Sequence, residues 1–425
     1  MKYRMFKNPI CNAPFVSMYF RPDGSVTPCC FNSEYIYGKY PEKSVKQIWE
    51  GKERKALQKA MFNNDLSHGC QICNRHIINN NAEIAGLNQY KHLNINKTPS
   101  KLEFELSHQC NLNCIMCFQL DENRNLCVYD DNFVDQLSSY LQHAEFLSFT
   151  GGEPFINELY FQIWDIVTKS NPSCINIIQT NGTIWNNRIK NLLENGRFQI
   201  SISLDSIDAT TYEQIRVNAK LENTLKNSNN FMKSMMKHGD NLIINVCPMR
   251  NNAYNITDII KFTTSINSKI YFNTVYSPPN LSLINLSLEK LELILQHYYI
   301  FLNERPHISE QNKISFLGLI NQIKSFIENW EISEEKMKYN KHYAKSFQTL
   351  IEKISINTSI EEKKILELKL NSIFENKLSD FPVVYGINLL LKKNNLELNA
   401  DWILKNNSKY IWGYFMCSTL SSIRQ

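Results

Sequence analysis

The chain has 425 residues, 43% hydrophobic and 20% charged, enough for two to three domains, and this composition excludes a disordered or fibrous protein. No stretch reaches the roughly 20 apolar residues of a membrane helix, and the basic start at Lys2, Arg4 and Lys7 has no apolar run behind it, so no membrane contact, no signal peptide and a cytoplasmic location are expected. The net charge of +5 is uneven, with 14 Lys plus Arg against 7 Asp plus Glu in residues 1–100; a solvated basic surface accounts for this, and no nucleic-acid partner is expected.

Residues 1–99 read as short elements broken by Pro9, Pro14, Pro22, Gly24, Pro28 and Gly38. Phe15 to Phe20 and Ser25 to Thr27 are expected as strands around the turn Arg21-Pro22-Asp23-Gly24, and Val45 to Met61 as one helix. Lys97-Thr98-Pro99-Ser100 reads as a linker. From Lys101 to about Pro278 strand and helix signals alternate. The expected strands are 101–106, 145–149, 174–179, 199–204, 242–247 and 269–275. Between them Asp130-Asp131 can cap a helix carrying Phe133, Leu137 and Leu141, and Asn195-Gly196 can stop one carrying Ile189, Leu192 and Leu193. A further helix, with Ile256, Ile259, Ile260 and Phe262, follows Asn255. Six such alternations imply parallel βαβ units, hence an α/β fold that is either a barrel or an open doubly wound sheet. After Pro278-Pro279 the pattern turns to long amphipathic helices, with Leu288, Leu291, Leu295 and Tyr298 on one face, running to about Asn376. The expected domains are 1–99, 100–280 and 281–425, the last helical and without a motif that carries chemistry.

Disulfides are disfavoured in a cytoplasmic chain, so the grouping of the twelve cysteines points to metal or redox chemistry. Cys110-Asn-Leu-Asn-Cys114-Ile-Met-Cys117 directly follows the strand from Lys101. Three thiolates in eight residues can wrap one iron–sulfur cubane. Because cubanes usually take four cysteines, one iron is left open to a small-molecule amine and carboxylate. A zinc site, or a four-cysteine cluster with a distant ligand, is the alternative. Thr150-Gly151-Gly152-Glu153-Pro154 follows the second strand, and its glycines let the backbone approach a ligand closely. Thr180-Asn181-Gly182 ends the third. In the fourth, Ser201, Ser203 and Asp205 alternate onto one face, and Arg216 follows on the next helix.

The CxxxCxxC spacing after the first strand of a βα series resembles the signature of the radical SAM (S-adenosylmethionine) superfamily, and the local string is similar to its peptide-modifying branches. The resemblance spans about Lys101 to Pro278 and implies a partial (β/α)6 barrel. It implies a 4Fe–4S cluster on Cys110, Cys114 and Cys117, with SAM on the open iron. Met116 would touch adenine where many members have an aromatic. The Gly151-Gly152-Glu153-Pro154 loop would hold the SAM amino group, and Asn181 would be a further SAM contact. Ser203 and Asp205 would meet the ribose, and Arg216 the carboxylate. The implied activity is reductive cleavage of SAM to a 5′-deoxyadenosyl radical, which abstracts hydrogen from a substrate. The electron would come from a donor such as a flavodoxin or ferredoxin, and the protein would supply orientation and exclude water. A peptide or protein is the first expectation for the substrate, with sugars, nucleotides and lipids open.

In the first quarter, Cys11, then Gly24-Ser-Val-Thr-Pro-Cys29, then Cys70-Gln-Ile-Cys73 resembles the opening of a SPASM domain. Asn79 stands where the longer pattern continues, so the segment is similar to the shortened form called twitch, with one auxiliary 4Fe–4S cluster on Cys11, Cys29, Cys70 and Cys73. Cys30 is interchangeable with Cys29 at this point, and a closed tetrahedral zinc site is the alternative. SPASM segments usually follow the radical SAM core; here the segment precedes it. In the fifth strand Asn245, Cys247 and Met249 alternate onto one face, which would put Cys247 in reach of a substrate radical as a hydrogen donor for an epimerisation. A small buried hydrophobe is the other reading of Cys247, and Cys417 is a rival donor.

Overall fold

The computed structural model describes residues 9–78, 86–120, 124–235, 242–304, 307–337, 343–355, 358–374, 387, 400–405 and 411. Asn79, Cys417 and the expected helix end near Asn376 lie outside them.

The strands are β1 (Ser17–Phe20), β2 (Ser25–Thr27), β3 (Gly38–Lys39), β4 (Lys101–Phe104), β5 (Phe146–Phe149), β6 (Ile175–Thr180), β7 (Phe198–Ser203), β8 (Ile243–Val246) and β9 (Lys269–Phe272). They form one sheet in the order β3-β2-β1-β4-β5-β6-β7-β8-β9. From β4 to β8 neighbours pair in parallel with helices between them, as parallel strands require a crossover. This is the mixed α/β fold of a partial (β/α)6 barrel, β4 to β9. The front segment joins the same sheet: β1 pairs in parallel with β4, Ser17 opposite Lys101 and Phe20 opposite Phe104.

Alternation explains the two faces of the sheet. Met18, Phe20, Leu102, Phe104, Leu147, Phe149, Ile200 and Ile202 are fully buried. Their rings stack across strands, Phe20 on Phe104 at 5.4 Å and Phe104 on Phe149 at 5.1 Å, and Trp164 from helix Glu158–Ser170 packs edge-on to Phe149. The opposite face carries Ser17, Lys101, Glu103, Ser201 and Ser203, all buried and all polar. The Asp130 cap holds, its carboxylate accepting from Phe133 N–H at 3.0 Å, and helix Asn187–Asn195 ends at Gly196 as expected.

Three expectations change. Residues 13–16 form a short helix before β1, because Pro14 suits a first helical turn. The helix expected over 45–61 is two, Val45–Trp49 and Lys52–Phe62. Ser44 and Gln47 close a capping box at the first, while Gly51, a weak helix former, takes an extended backbone between them. β8 stops at Val246, so the alternation that aligned Cys247 and Met249 with Asn245 does not extend to them.

The chain divides into two compact units, Met1–Asn245 with Ser265–Ile270, and Val246–Thr264 with Tyr271–Gln425. The second is helical. In helix Leu288–Asn303 the buried stripe is Leu291, Ile294, Tyr298 and Phe301, with Leu288 and Leu295 only half-buried. Tyr298 packs on Phe316 at 5.0 Å and donates to Ala253 O at 2.8 Å. Among the described residues no helix is long and apolar enough to cross a membrane.

Candidate functional site

Cys110, Cys114 and Cys117 lie on the loop that follows β4. Backbone bonds fasten this loop to the end of helix Ala209–Ile215: Asn113 N–H donates to Val217 O and Ile115 N–H to Ile215 O, both at 3.0 Å. Arg124 clamps it from the other side, donating to Cys110 O and Asn113 Oδ1, each at 2.6 Å, and to Leu112 O. Cys114 is buried, and Cys110 and Cys117 half-buried. Burial pushes the Cys114 and Cys117 thiols up from their ordinary value; against it, Arg216 favours the Cys114 thiolate and the Gln119 backbone the Cys117 thiolate.

The Gly-Gly-Glu-Pro loop docks on the start of the cysteine loop. Gly152 N–H donates to Ser107 O at 3.0 Å and Glu153 N–H to Gln109 O at 2.8 Å. Gly151 has φ +114°, and a Cβ on Gly152 would fall 1.9 Å from Gln109 O, so neither position admits a side chain without moving the cysteine loop. Pro154 opens a short 3-10 turn, and Glu153, 2% exposed, turns inward. Its carboxylate accepts from Thr180 Oγ1 at 2.7 Å, Asn181 N–H at 2.7 Å and Phe155 N–H at 3.1 Å. Burial nevertheless raises its pKa to about 7, with those three donors opposing. Asn181 in turn donates to Asn111 Oδ1 at 2.8 Å and to Cys110 Sγ at 3.6 Å. A chain of contacts therefore runs from Glu153 through Asn181 to the first cysteine.

Asp205 and Arg216 meet each other. Asp205 is fully buried and accepts from Arg216 Nε at 2.6 Å, while Arg216 Nη1 donates to Cys114 Sγ at 3.7 Å. Ser203 and Ser201 lie on the polar face of β7, and Asn245 donates to Ser201 Oγ at 2.6 Å. Met116 is half-buried on the cysteine loop. Cys247 follows the end of β8, half-buried, its carbonyl accepting from Asn252 Nδ2 at 3.1 Å; Met249 is fully buried.

In the front segment Cys11, Cys29, Cys70 and Cys73 line one cavity with Pro14, Pro28, Phe31, Leu57, Met61 and Leu87. Cys30 is exposed and does not line it, which separates the two adjacent cysteines. Ala13 N–H donates to Cys11 Sγ at 3.4 Å and Asn32 Nδ2 to Cys70 Sγ at 3.3 Å, and the Leu87 and Gly86 backbones favour the Cys73 thiolate against its burial. Among the described residues no three His, Cys, Asp or Glu side chains gather tightly enough for a single metal ion. Four cysteine thiols are the donor set that a 4Fe–4S cubane takes, and a closed tetrahedral zinc site takes the same set.

Glu103, Glu105 and Arg124 escaped the sequence reading. Lys101-Leu-Glu103-Phe-Glu105-Leu106 alternates charge with hydrophobe, the signal that would have found the two carboxylates. Glu103 pairs with Lys101 Nζ at 2.9 Å and accepts from Tyr90 OH at 2.7 Å and Ser17 Oγ at 3.2 Å. Glu105 accepts from Tyr19 OH at 2.5 Å and Gln119 Nε2 at 2.7 Å, and lies 3.2 Å from His108 Nε2. Burial works to raise the Glu105 pKa, but its His108 and Tyr19 partners outweigh it and hold the carboxylate below its ordinary range. Arg124 gave no signal at all, because a lone arginine beyond a loop carries no pattern.

Residues 104–252 match the family model of the radical SAM superfamily, and residues 11–74 match that of an iron–sulfur cluster-binding domain. The chain thus carries a radical SAM domain behind an iron–sulfur cluster-binding domain. It is an enzyme whose cofactors are a 4Fe–4S cluster with SAM and an auxiliary iron–sulfur cluster. Among curated relatives it is similar to the probable GTP 3′,8-cyclase of Pyrococcus abyssi, 28% identical over 174 residues, covering 40% of this chain and 54% of the relative. The GTP 3′,8-cyclase of Synechocystis sp. is 27% identical over 187 residues, covering 40% and 53%. The chain spans about half the length of these relatives. Solved structures that match include native anSMEcpe with bound AdoMet, with 21% identity, 49% of this chain and 63% of that one covered, and a TM-score of 0.38. Streptococcus suis SuiB bound to S-adenosylmethionine matches at 16% identity, covering 61% and 58%, also with a TM-score of 0.38.

Proposed function

We propose that this chain cleaves SAM reductively at a 4Fe–4S cluster held by Cys110, Cys114 and Cys117, and that it abstracts hydrogen from a peptide or protein substrate. The observation that carries the reading is the three-thiol stretch from Cys110 to Cys117, pinned on one side by Gly151-Gly152 and on the other by Arg216, with the next cysteine, Cys127, turned to Tyr129 O instead. When bound, the cluster and SAM supply the electron transfer and the 5′-deoxyadenosyl radical. The chain's own residues hold and orient. The approach of the Gly152 backbone to Gln109 fixes the loop, and Glu153 positions Asn181 beside Cys110. Asp205 orients Arg216, which is assigned to the SAM carboxylate; Ser203 and Met116 are assigned to ribose and adenine. Cys11, Cys29, Cys70 and Cys73 are the proposed ligands of the auxiliary cluster.

The polar face of the sheet is the proposed substrate seat. It favours a peptide over a nucleoside triphosphate: near the cysteine loop it presents Glu105, which Gln119 of that loop contacts, and its Lys101 is paired with Glu103. A polyphosphate needs unpaired cations there. A nucleotide substrate is the second reading, favoured by the names of the curated relatives. Should the product be an epimer, Cys247 is the proposed hydrogen donor; wild type would then take up solvent deuterium, and Cys247→Ala would form SAM fragments without product. For the substrate class, the test is the rate of 5′-deoxyadenosine formation with candidate peptides and with GTP. Stimulation by a peptide alone is expected, and stimulation by GTP alone would overturn the peptide reading.

A further inference from the structure

Glu105 directly follows β4, and its N–H donates to Phe20 O at 2.9 Å, so the pairing of β1 with β4 fixes it from its base. Its side chain is 14% exposed, and a Cβ on Gly151 would stand 3.7 Å from Glu105 Cγ, so the stem runs beside the Gly-Gly loop. The carboxylate then reaches both flanks of the cysteine loop. Oε1 accepts from Gln119 Nε2 at 2.7 Å, and Gln119 stands two residues after Cys117. The same oxygen lies 3.2 Å from Nε2 of His108, which stands two residues before Cys110. Oε2 accepts from Tyr19 OH of β1 at 2.5 Å, across 86 positions of chain.

A carboxylate withdrawn from water demands donors, and hydrogen bonds to an ionised acceptor are the stronger kind. Here the donors come from the front segment and from the two flanks of the cysteine loop, stretches that no local pattern joins. Arg124 and the Val217 and Ile215 carbonyls hold the loop over residues 110–115. Glu105 holds its two ends.

With this loop read as the seat of the SAM-cleaving cluster, we propose that Glu105 is a positioning residue that ties the two flanks of the loop to each other, and that Tyr19 of the front segment holds the carboxylate for this task. The front segment is then a working part of the SAM site through a side chain of β1, and not only through its own cavity.

The test follows iron loss from the anaerobically loaded full chain under bathophenanthroline disulfonate. EPR tells the clusters apart, since the reduced signal that changes on SAM addition reports the three-cysteine cluster. Glu105→Ala should speed iron loss from that cluster by about tenfold or more, the scale of one lost charge-assisted hydrogen bond. Glu105→Gln keeps an acceptor oxygen and should recover part of the loss. Tyr19→Phe removes one hydroxyl and should speed the same iron loss several-fold, with the front cluster at its wild-type rate; it decides the case if Glu105→Ala does not fold. Among the described residues Tyr19 and Gln119 share no hydrogen bond with each other, and both reach Glu105. Tyr19→Phe and Gln119→Ala should therefore be non-additive, and additive once Glu105 is Ala. Unchanged iron loss in Tyr19→Phe, equal acceleration at both clusters, or additivity with Glu105 in place overturns the role of Glu105. A wild type with no SAM-sensitive signal overturns the reading of the loop itself.

Discussion

The two cysteine sites of the first unit are built to opposite plans. The front cavity brings four thiols from three separated stretches of chain into an apolar enclosure, walled by Leu57, Met61 and Leu87. The loop after β4 brings three thiols from eight residues into a polar setting, with Asp205, Arg216, Asn181 and Arg124 around it. A set of four thiols satisfies a cubane and leaves no position for a substrate; a set of three leaves one. Enclosure and polarity follow the same division, since a closed site needs only donors to its sulfurs, while an open one must also bind what occupies the free iron.

That contrast breaks most sharply when either set is removed. Changing Cys11, Cys29, Cys70 and Cys73 to Ala should cost about four irons and spare SAM binding at the other site, as read by iron analysis and SAM titration. Loss of SAM binding there would mean the sites are not separable. Next in size is Arg216→Ala, which removes one side of a buried ion pair; that costs about 3–5 kcal/mol of stability, read as a lower urea midpoint, and it should weaken SAM binding as well. Arg216→Lys keeps the charge but not the two-point reach from Asp205 to Cys114, so it should recover only part of either loss. Arg124→Ala should cost about 1.5–3 kcal/mol, the range for hydrogen bonds to a charged group, and speed chelator-driven iron loss from the loop alone.

The smallest effect is a pH dependence. Folding raises the Glu153 pKa from 4.5 to about 7, so the folded state holds that proton more tightly than the unfolded chain. This contribution favours folding below pH 4.5 and is lost as pH rises towards about 7. Wild type should therefore lose stability relative to Glu153→Gln across that window, by paired denaturant melts at pH 5 and 8. A constant gap would place the titration elsewhere.

What the sequence made legible was local or periodic. The three-cysteine loop, the Gly151-Gly152 turn and the strand series depend on spacing within a few residues, and they lie where spacing puts them. Cys29 and Cys30 could not be ranked, because adjacent residues differ only in which face they turn to, and that is set by the packing of β2 and Asn32. Nor was the pairing of Asp205 with Arg216 visible: each reads as a ligand contact alone, and only the helix after β7 brings them together. The joining of β1 to β4 is a contact between residues more than 80 positions apart, beyond any local pattern.

The loop of Cys110, Cys114 and Cys117 is the proposed holder of the cluster that cleaves SAM. Its direct test is 5′-deoxyadenosine formation under dithionite by anaerobically purified protein, with and without those cysteines changed to Ala. Brown wild type that forms 5′-deoxyadenosine is expected, with a triple variant that keeps about four irons at the front site and forms none. Formation of 5′-deoxyadenosine by the triple variant would contradict it.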